Sequence, residues 1–203
     1  MLQNRVDPFG ELIKTTARGS WTGTRGLIHN DQQKIIRPFR LKAWITCKLE
    51  FKERKRKVMS PGKYTELFFL DEATAFSAGH RPCCECRREM FNKFKAAWVA
   101  GNPEYNFHNK TSIREIDNII HRERINVDGS KVTFEENIND IPDGTFISVR
   151  KQPFLFSNKQ LFLWSPLGYN DGIALPNTQK LTILTPKSII NAFHAGYSFD
   201  QKT

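Results

Sequence analysis

The stretch from Phe68 to Arg88, FFLDEATAFSAGHRPCCECRR, decides how this chain folds around its cysteines. The residues from Tyr64 to Leu70 predict a strand, and Asp71 can cap a short helix over Glu72 to Ala78. A glycine suited to a left-handed helix end follows. Next comes a Pro-Cys-x-x-Cys turn that opens a second, basic helix. The sequence therefore predicts a strand, a helix, a cysteine turn and a helix in close succession.

The cysteine turn has the spacing of a metal site. Cys83 and Cys86 can turn both sulfurs toward one tetrahedral ion, and zinc is the natural candidate. The other cysteines are Cys47 and Cys84, and adjacent residues rarely both bind one ion. We therefore expect Cys47, Cys83 and Cys86 as ligands of a structural site, with the fourth ligand open between His80, Cys84, another histidine and water. The alternative is that Cys83 and Cys86 are ordinary buried thiols.

The segment before this turn predicts a half-buried strand over Ala43 to Phe51, AWITCKLEF. Its alternation places Ile45, Cys47, Leu49 and Phe51 on one face, so Cys47 is expected to face inward. The basic run that follows predicts the tip and return strand of a charged hairpin.

Residues 68–86 resemble the second half of the Ada-type zinc-binding domain, which has an aromatic strand, a short helix, Ala-Gly-aromatic-Arg-Pro-Cys-x-x-Cys and a helix. In that family an upstream strand ends in Cys-x-x-x-Cys, and Cys47 stands at a similar distance. The resemblance implies zinc and, for Cys47, a ligand that also accepts methyl groups from DNA phosphotriesters. Phe51 replaces the second cysteine of that pair, so zinc would carry less negative charge and we do not carry this activity over. The wider chain also resembles a bacterial family of small proteins with no established function.

The fold class that these patterns predict is α+β. Residues 1–140 are expected to form a small zinc-knuckle α/β module that resembles the Ada metal-binding domain. Residues 141–203 read as a β-rich subdomain, because short strands are expected near 145–150, 153–156, 160–164 and 180–184, before a closing helix.

The chain is expected to be cytoplasmic. It contains no apolar run long enough to span a bilayer, and its first residues, MLQNRVDPFGELIK, lack the features of a signal peptide. In a reducing compartment, clustered cysteines are better explained by metal binding or reactivity than by disulfides.

The charge is strongly basic, with 31 Lys and Arg against 21 Asp and Glu, a formal net charge of +10. Such a balance favours polyanions, so we expect a nucleic acid, DNA in the first instance, and no membrane as the partner. A merely solvated basic surface and an acidic protein partner are the alternatives. The candidate nucleic-acid-binding residues lie around the cysteines and in a glycine-containing loop near the N-terminus: Arg18, Trp21, Arg25, Lys52, Arg54, Lys55, Arg56, Lys57, Arg81, Arg87 and Arg88.

Candidate catalytic groups are His29, Asp117 and His121. A capping box at Ser112 predicts a helix on which Asp117, His121 and Arg124 share one face. There a carboxylate could orient a histidine as a general base beside a phosphate-binding arginine. We favour the alternative, an exposed helix face with favourable charge pairs.

Three functional classes follow. The leading one is a zinc-stabilised nucleic-acid-binding protein that grips phosphates through basic residues around the cysteine knuckle. The second is a nucleic-acid-processing enzyme, either a nuclease that uses His29 or His121, or a DNA-repair enzyme that uses Cys47. The third is a protein-interaction module. A zinc deaminase would require His-x-Glu or Cys-x-Glu upstream of the cysteine turn, and the sequence has neither.

Overall fold

Two β-sheets with helices packed between and beside them form this computed structural model, which describes residues 1–52, 57–174 and 180–199. The predicted α+β class is confirmed. One sheet contains β1 (Gln3–Val6), β2 (Leu12–Lys14), β3 (Trp21–Thr24), β4 (Ile45–Cys47), β5 (Leu67–Phe69) and β6 (Arg81–Pro82).

The strand order in this first sheet is β2-β1-β5-β3-β4-β6. β1 is parallel to β5 and β4 is parallel to β6, whereas the other neighbours are antiparallel. The sheet is therefore mixed, and the parallel pair β4 and β6 places two chain segments that are distant in sequence side by side at the same edge.

The second sheet is antiparallel and follows the order β11-β10-β9-β8-β13-β7, with β12 also paired to β10. Its strands are β7 (Phe134–Asn137), β8 (Phe146–Val149), β9 (Gln152–Ser157), β10 (Gln160–Ser165), β11 (Gly168–Tyr169), β12 (Ile173–Ala174) and β13 (Lys180–Ile183). The predicted meander beyond residue 144 is confirmed. The strand β7 precedes residue 141, where the β-rich subdomain was predicted to begin. It nevertheless belongs to this sheet, because it pairs with β13 along its whole length.

The helix α1 (Glu72–Ser77) lies at the centre of the molecule, and every residue in it is buried. The Asp71 carboxylate accepts a hydrogen bond from the Thr74 N–H, and Gly79 ends the turn with φ +77°. Both end signals were predicted correctly. Ala75 packs in the core of the first sheet, whereas Ala73 packs with residues of the second sheet, so α1 joins the two.

Three longer helices pack together beside α1: α2 (Arg88–Gly101), α3 (Ile113–Arg124) and α4 (Lys187–His194). The predicted capping box of α3 is present, with Ser112 and Glu115 each bonded to the other's backbone. On α4, Phe193 packs with the helices and Ile190 packs against the second sheet. The C-terminal helix therefore belongs to both cores.

The strand β4 is shorter than predicted, and its buried face is the opposite one. Trp44 and Thr46 are buried, whereas Ile45 and Cys47 are half-buried and Leu49 is exposed. The prediction that Cys47 faces the core was wrong, because side chains from other parts of the chain cover Trp44 instead. The tip of the predicted charged hairpin, residues 53–56, lies outside the described residues.

Within the described ranges, none of the helices has the length and apolar character needed to cross a membrane.

Candidate metal centre

The register between β4 and β6 brings two cysteines together. These parallel strands pair Ile45 with Arg81 and Thr46 with Pro82, so the next residues, Cys47 at the end of β4 and Cys83 just after β6, lie side by side. The Cys83 N–H donates to the Thr46 carbonyl over 2.9 Å and closes this edge. Cys47 and Cys83, which are 36 positions apart in the chain, thus lie next to each other.

The third thiol comes from the turn that follows. The Arg87 N–H bonds to the Cys83 carbonyl over 3.1 Å, which closes the turn and directs Cys86 back toward Cys83. The sulfurs of Cys47, Cys83 and Cys86 all lie within 4.8 Å of one another, and this cluster could hold a metal ion. Cys84 is exposed and lies outside the cluster. The three cysteines expected as ligands are therefore the three that the fold brings together.

Backbone N–H groups surround the sulfurs. The Glu85 N–H donates to the Cys83 sulfur over 3.4 Å, and the Lys48 N–H donates to the Cys86 sulfur. Such donors stabilise sulfur in its thiolate form, which is the form that binds metals. The turn is thus arranged to favour negative charge on buried sulfur.

The pKa values of the three thiols are shifted in opposite directions. A hydrogen bond from Cys47, together with the N–H groups of Cys86 and Glu85, lowers the pKa of Cys83 to about 5 despite its burial. The same bond, and then burial, raises the pKa of Cys47 far above its ordinary value, and burial raises the pKa of Cys86. A metal bound by all three as thiolates would displace the remaining protons.

A cavity of about 440 Å³ lies beside the cluster. All three cysteines line it, together with strand residues on its apolar side, such as Ile45 and Phe68. Two carboxylates, Glu66 and Glu85, also line it. As a residue, Cys47 is half-buried, whereas Cys83 and Cys86 are buried.

His80 does not join the cysteines. It is fully buried on the other side of the first sheet, where its Nε2 accepts a hydrogen bond from Arg25 Nε over 3.3 Å and its ring packs on Trp44 and Phe69. Burial and the nearby cations hold the pKa of His80 well below its usual range. The fourth ligand is therefore not His80 in this arrangement.

Several predicted nucleic-acid contacts are buried inside the protein. Arg81 forms a two-pronged ion pair with Asp117, with both N···O distances 2.7 Å, and Arg87 pairs with Glu72. Arg87 also covers the ring of Trp21, 4.0 Å from its centre. Arg81 and Arg87 were therefore predicted wrongly as surface contacts to phosphate, because internal partners neutralise them. Arg25 is also buried and does not reach the surface.

The other predicted contacts that the structure describes are exposed: Arg18, Lys52, Lys57 and Arg88. Lys52 lies near the cysteines and forms an exposed ion pair with Glu85 at 3.8 Å. The predicted contacts Arg54, Lys55 and Arg56 lie outside the described residues.

The candidate catalytic groups do not form a site together. His29 is buried, and its Nδ1 lies 2.6 Å from the Thr65 hydroxyl. Asp117 is taken up by its ion pair with Arg81, and His121 instead contacts Arg124, 2.9 Å away. The predicted carboxylate-histidine pair is therefore wrong: Asp117 faces the core, where it neutralises an arginine.

The carboxylate that neutralises Arg87 was not predicted from the sequence. Glu72 lies in the first turn of α1 with its side chain buried, and nothing in its spacing from Arg87 signals this contact. Lys131, which lies with Arg25 and Arg124 in a separate pocket, was not predicted either.

Comparisons with protein-family models, with curated proteins and with solved structures found no match to this chain. The site must therefore be interpreted from its own geometry.

Proposed function

We propose that this protein binds zinc through Cys47, Cys83 and Cys86 and that it binds nucleic acid, DNA in the first instance, beside this site. The single observation that supports the proposal is the convergence of the three sulfurs within 4.8 Å. Cys47 is far from Cys83 and Cys86 in the sequence, so proximity along the chain does not account for its position beside them. A shared metal ion explains why these three thiols meet.

Zinc fits the donor set and its spacing. Thiolates are soft ligands that select zinc over the hard cations magnesium and calcium. With Zn–S bonds of about 2.3 Å, tetrahedral sulfurs stand about 3.8 Å apart, which lies within the observed limit. Zinc would tie β4 to the turn before α2, and the fourth ligand would reach it from the cavity side as water or a small molecule.

The proposed nucleic-acid contact rests on charge that remains at the surface. Arg81 and Arg87 form ion pairs with Asp117 and Glu72 inside the protein. Each pair is neutral, so the remaining residues still carry the net charge of +10. Four cations near the cysteines along the chain are exposed: Lys48, Lys52, Lys57 and Arg88. Cations of this kind bind phosphates with strong salt dependence and little sequence preference. The resemblance of residues 68–86 to the Ada-type domain supports the same assignment.

A second candidate function is DNA repair, and the cavity favours it. Cys47 lines this space and is the least buried cysteine of the three. If Cys47 has lost its proton, a methylated phosphate that entered the cavity could transfer its methyl group to the Cys47 thiolate, which gives a thioether and the phosphodiester anion as the leaving group. A nuclease has no comparable support, because His29, Asp117 and His121 each have structural partners.

The first experiment measures zinc per chain by elemental analysis after purification without chelator. We expect about one zinc in the parent, and loss of zinc with a lower melting temperature when Cys83→Ser and Cys86→Ser are combined. Cys84→Ser is the matched control, because Cys84 is adjacent but exposed and outside the cluster. A parent without zinc, or a double variant that retains it, would overturn the metal proposal.

The second experiment measures binding to labelled DNA and RNA across a salt series. Removing Lys48 and Lys52 together should weaken binding and reduce the slope of log K against log salt by about 2, roughly 1 for each phosphate contact. Lys151→Ala with Lys159→Ala removes the same charge from turns of the second sheet and is the control. If both pairs of substitutions change the slope equally, the basic surface is not localised at the cysteines. Methylated DNA added in a parallel sample tests for a methyl group on Cys47 by mass spectrometry.

A further inference from the structure

A buried arginine on the far side of β4 has no carboxylate at ion-pair distance among the residues that the structure describes. Arg25 is 2% exposed, its Nε donates to His80, and its guanidinium lies 3.9 Å from the centre of the Trp44 ring. Its Nη2 is buried without a hydrogen-bond partner. Burying a charged donor without a partner is costly, so this nitrogen points to an acceptor that the chain itself does not supply.

A second buried arginine lies against the same ring. Arg124 is also 2% exposed, with its guanidinium 3.7 Å from the Trp44 ring centre. Its terminal nitrogens donate to the carbonyls of Gly79 and Lys42, and its Nε is buried without a partner. Within the part of the chain that the structure describes, no carboxylate lies at ion-pair distance from either guanidinium.

Both arginines line a pocket of about 150 Å³, and a third cation, Lys131, lines it too. Burial, and then the two guanidinium groups, lower the pKa of Lys131 to about 7. The nearby carboxylates are Glu11, which is exposed at the pocket, and Asp7, whose own pKa burial raises to about 6. They attract Arg25 from a distance but do not pair with it. Three cationic side chains therefore line the pocket, against one lining carboxylate, Glu11, with Asp7 nearby.

The size of the pocket limits what it can bind. Its volume is several times the ~30 Å³ that one water molecule occupies in the liquid, which is enough for a tetrahedral oxyanion with some hydration. An oxyanion offers several acceptors to convergent donors, and guanidinium groups suit its geometry.

We propose that the pocket around Arg25, Arg124 and Lys131 binds one phosphate-sized oxyanion, either free phosphate or the terminal phosphate of a strand or nucleotide. None of the three residues belongs to the cysteine cluster. The inference is thus independent of both zinc and the proposed surface contacts, and it assigns a second, internal site for phosphate chemistry.

The test is calorimetric titration of the whole protein with inorganic phosphate at constant ionic strength. We expect one saturable site per chain, weakened at least tenfold by Lys131→Met. This substitution preserves the length of a half-buried side chain, whereas replacing a fully buried arginine risks unfolding. Lys110→Met, at an exposed position, should leave the affinity unchanged. No saturable binding by the parent, or equal affinity in Lys131→Met, would overturn the proposal.

A parallel arm compares 5′-phosphorylated and 5′-hydroxyl dinucleotides. Binding of the phosphorylated form alone identifies a strand end as the source of the phosphate, and binding of inorganic phosphate alone identifies the free ion. Crystals soaked in selenate locate the anion by anomalous scattering, without any substitution. Selenate beside Arg25 supports the proposal, and selenate confined to the surface contradicts it.

Discussion

Replacing Asp117 by asparagine tests whether this carboxylate is structural or catalytic. Asp117 and Arg81 are about equally buried, with side-chain exposures of 4% and 5%, and they share two hydrogen bonds of 2.7 Å. Removing one partner of such a pair leaves an uncompensated buried charge and costs about 3–5 kcal/mol. In a chain of 203 residues, each kcal/mol lowers the melting temperature by roughly 2–4 °C. At the low end, about 3 kcal/mol, Asp117→Asn should therefore melt roughly 6–12 °C below the parent.

The assay is thermal unfolding followed by circular dichroism, together with urea titration for the free energy of unfolding. Glu89→Gln is the control, because Glu89 pairs with Lys93 on the exposed face of α2 and such solvent-exposed pairs contribute little to stability. The double variant Arg81→Met with Asp117→Leu removes both charges and should recover much of the loss. If Asp117→Asn melts within the error of the control, the pair is not a buried structural contact and the reasoning fails.

Two further predictions concern the region around Arg124. Burial, and then the charges of Arg124 and Lys42, lower the pKa of His121 to about 4. Because the unfolded chain takes up this proton first, His121 should reduce stability as the pH falls from about 6.5 to about 4, and an NMR titration midpoint near 6.5 would contradict this. Gly79→Ala should destabilise the fold by about 1–3 kcal/mol more than Gly62→Ala. Both glycines have positive φ, so the backbone strain is matched. A Cβ at Gly79 would overlap the Arg124 side chain, whereas a Cβ at Gly62 would meet open space. Equal losses in free energy of unfolding would show that this contact relaxes without cost.

Local signals in the sequence predicted local structure well. The caps of α1, the left-handed glycine at its end, the capping box of α3 and the meander of the second sheet depend on residues a few positions apart. Side chains and backbone within one turn interact directly, so spacing alone carries this information. The start of α4 shows the limit: the hydroxyl of Thr185, one residue before the N-cap Pro186, accepts a hydrogen bond from the Phe146 N–H in another strand.

Predictions about exposure failed where a distant segment supplies the covering group. The alternation in β4 was real, but it could not show which face would be covered. Trp44 became the buried side because Arg25, His80 and Arg124 surround its ring. Arg81 and Arg87 were expected at the surface because a basic residue is ordinarily solvated, but Asp117 and Glu72 from other segments pair with them inside the protein.

The sequence by itself determined the secondary structure around the cysteines and the three sulfurs that could share an ion, because a Cys-x-x-Cys turn places its own thiols and only two other cysteines exist. The tertiary structure alone decided that Cys47 meets Cys83, through the parallel register of β4 and β6. It also decided which basic residues stay exposed. The type of a side chain, and so its ordinary charge, is known from the sequence. Its solvation depends on which other residues pack over it, and those residues come from segments far apart in the chain.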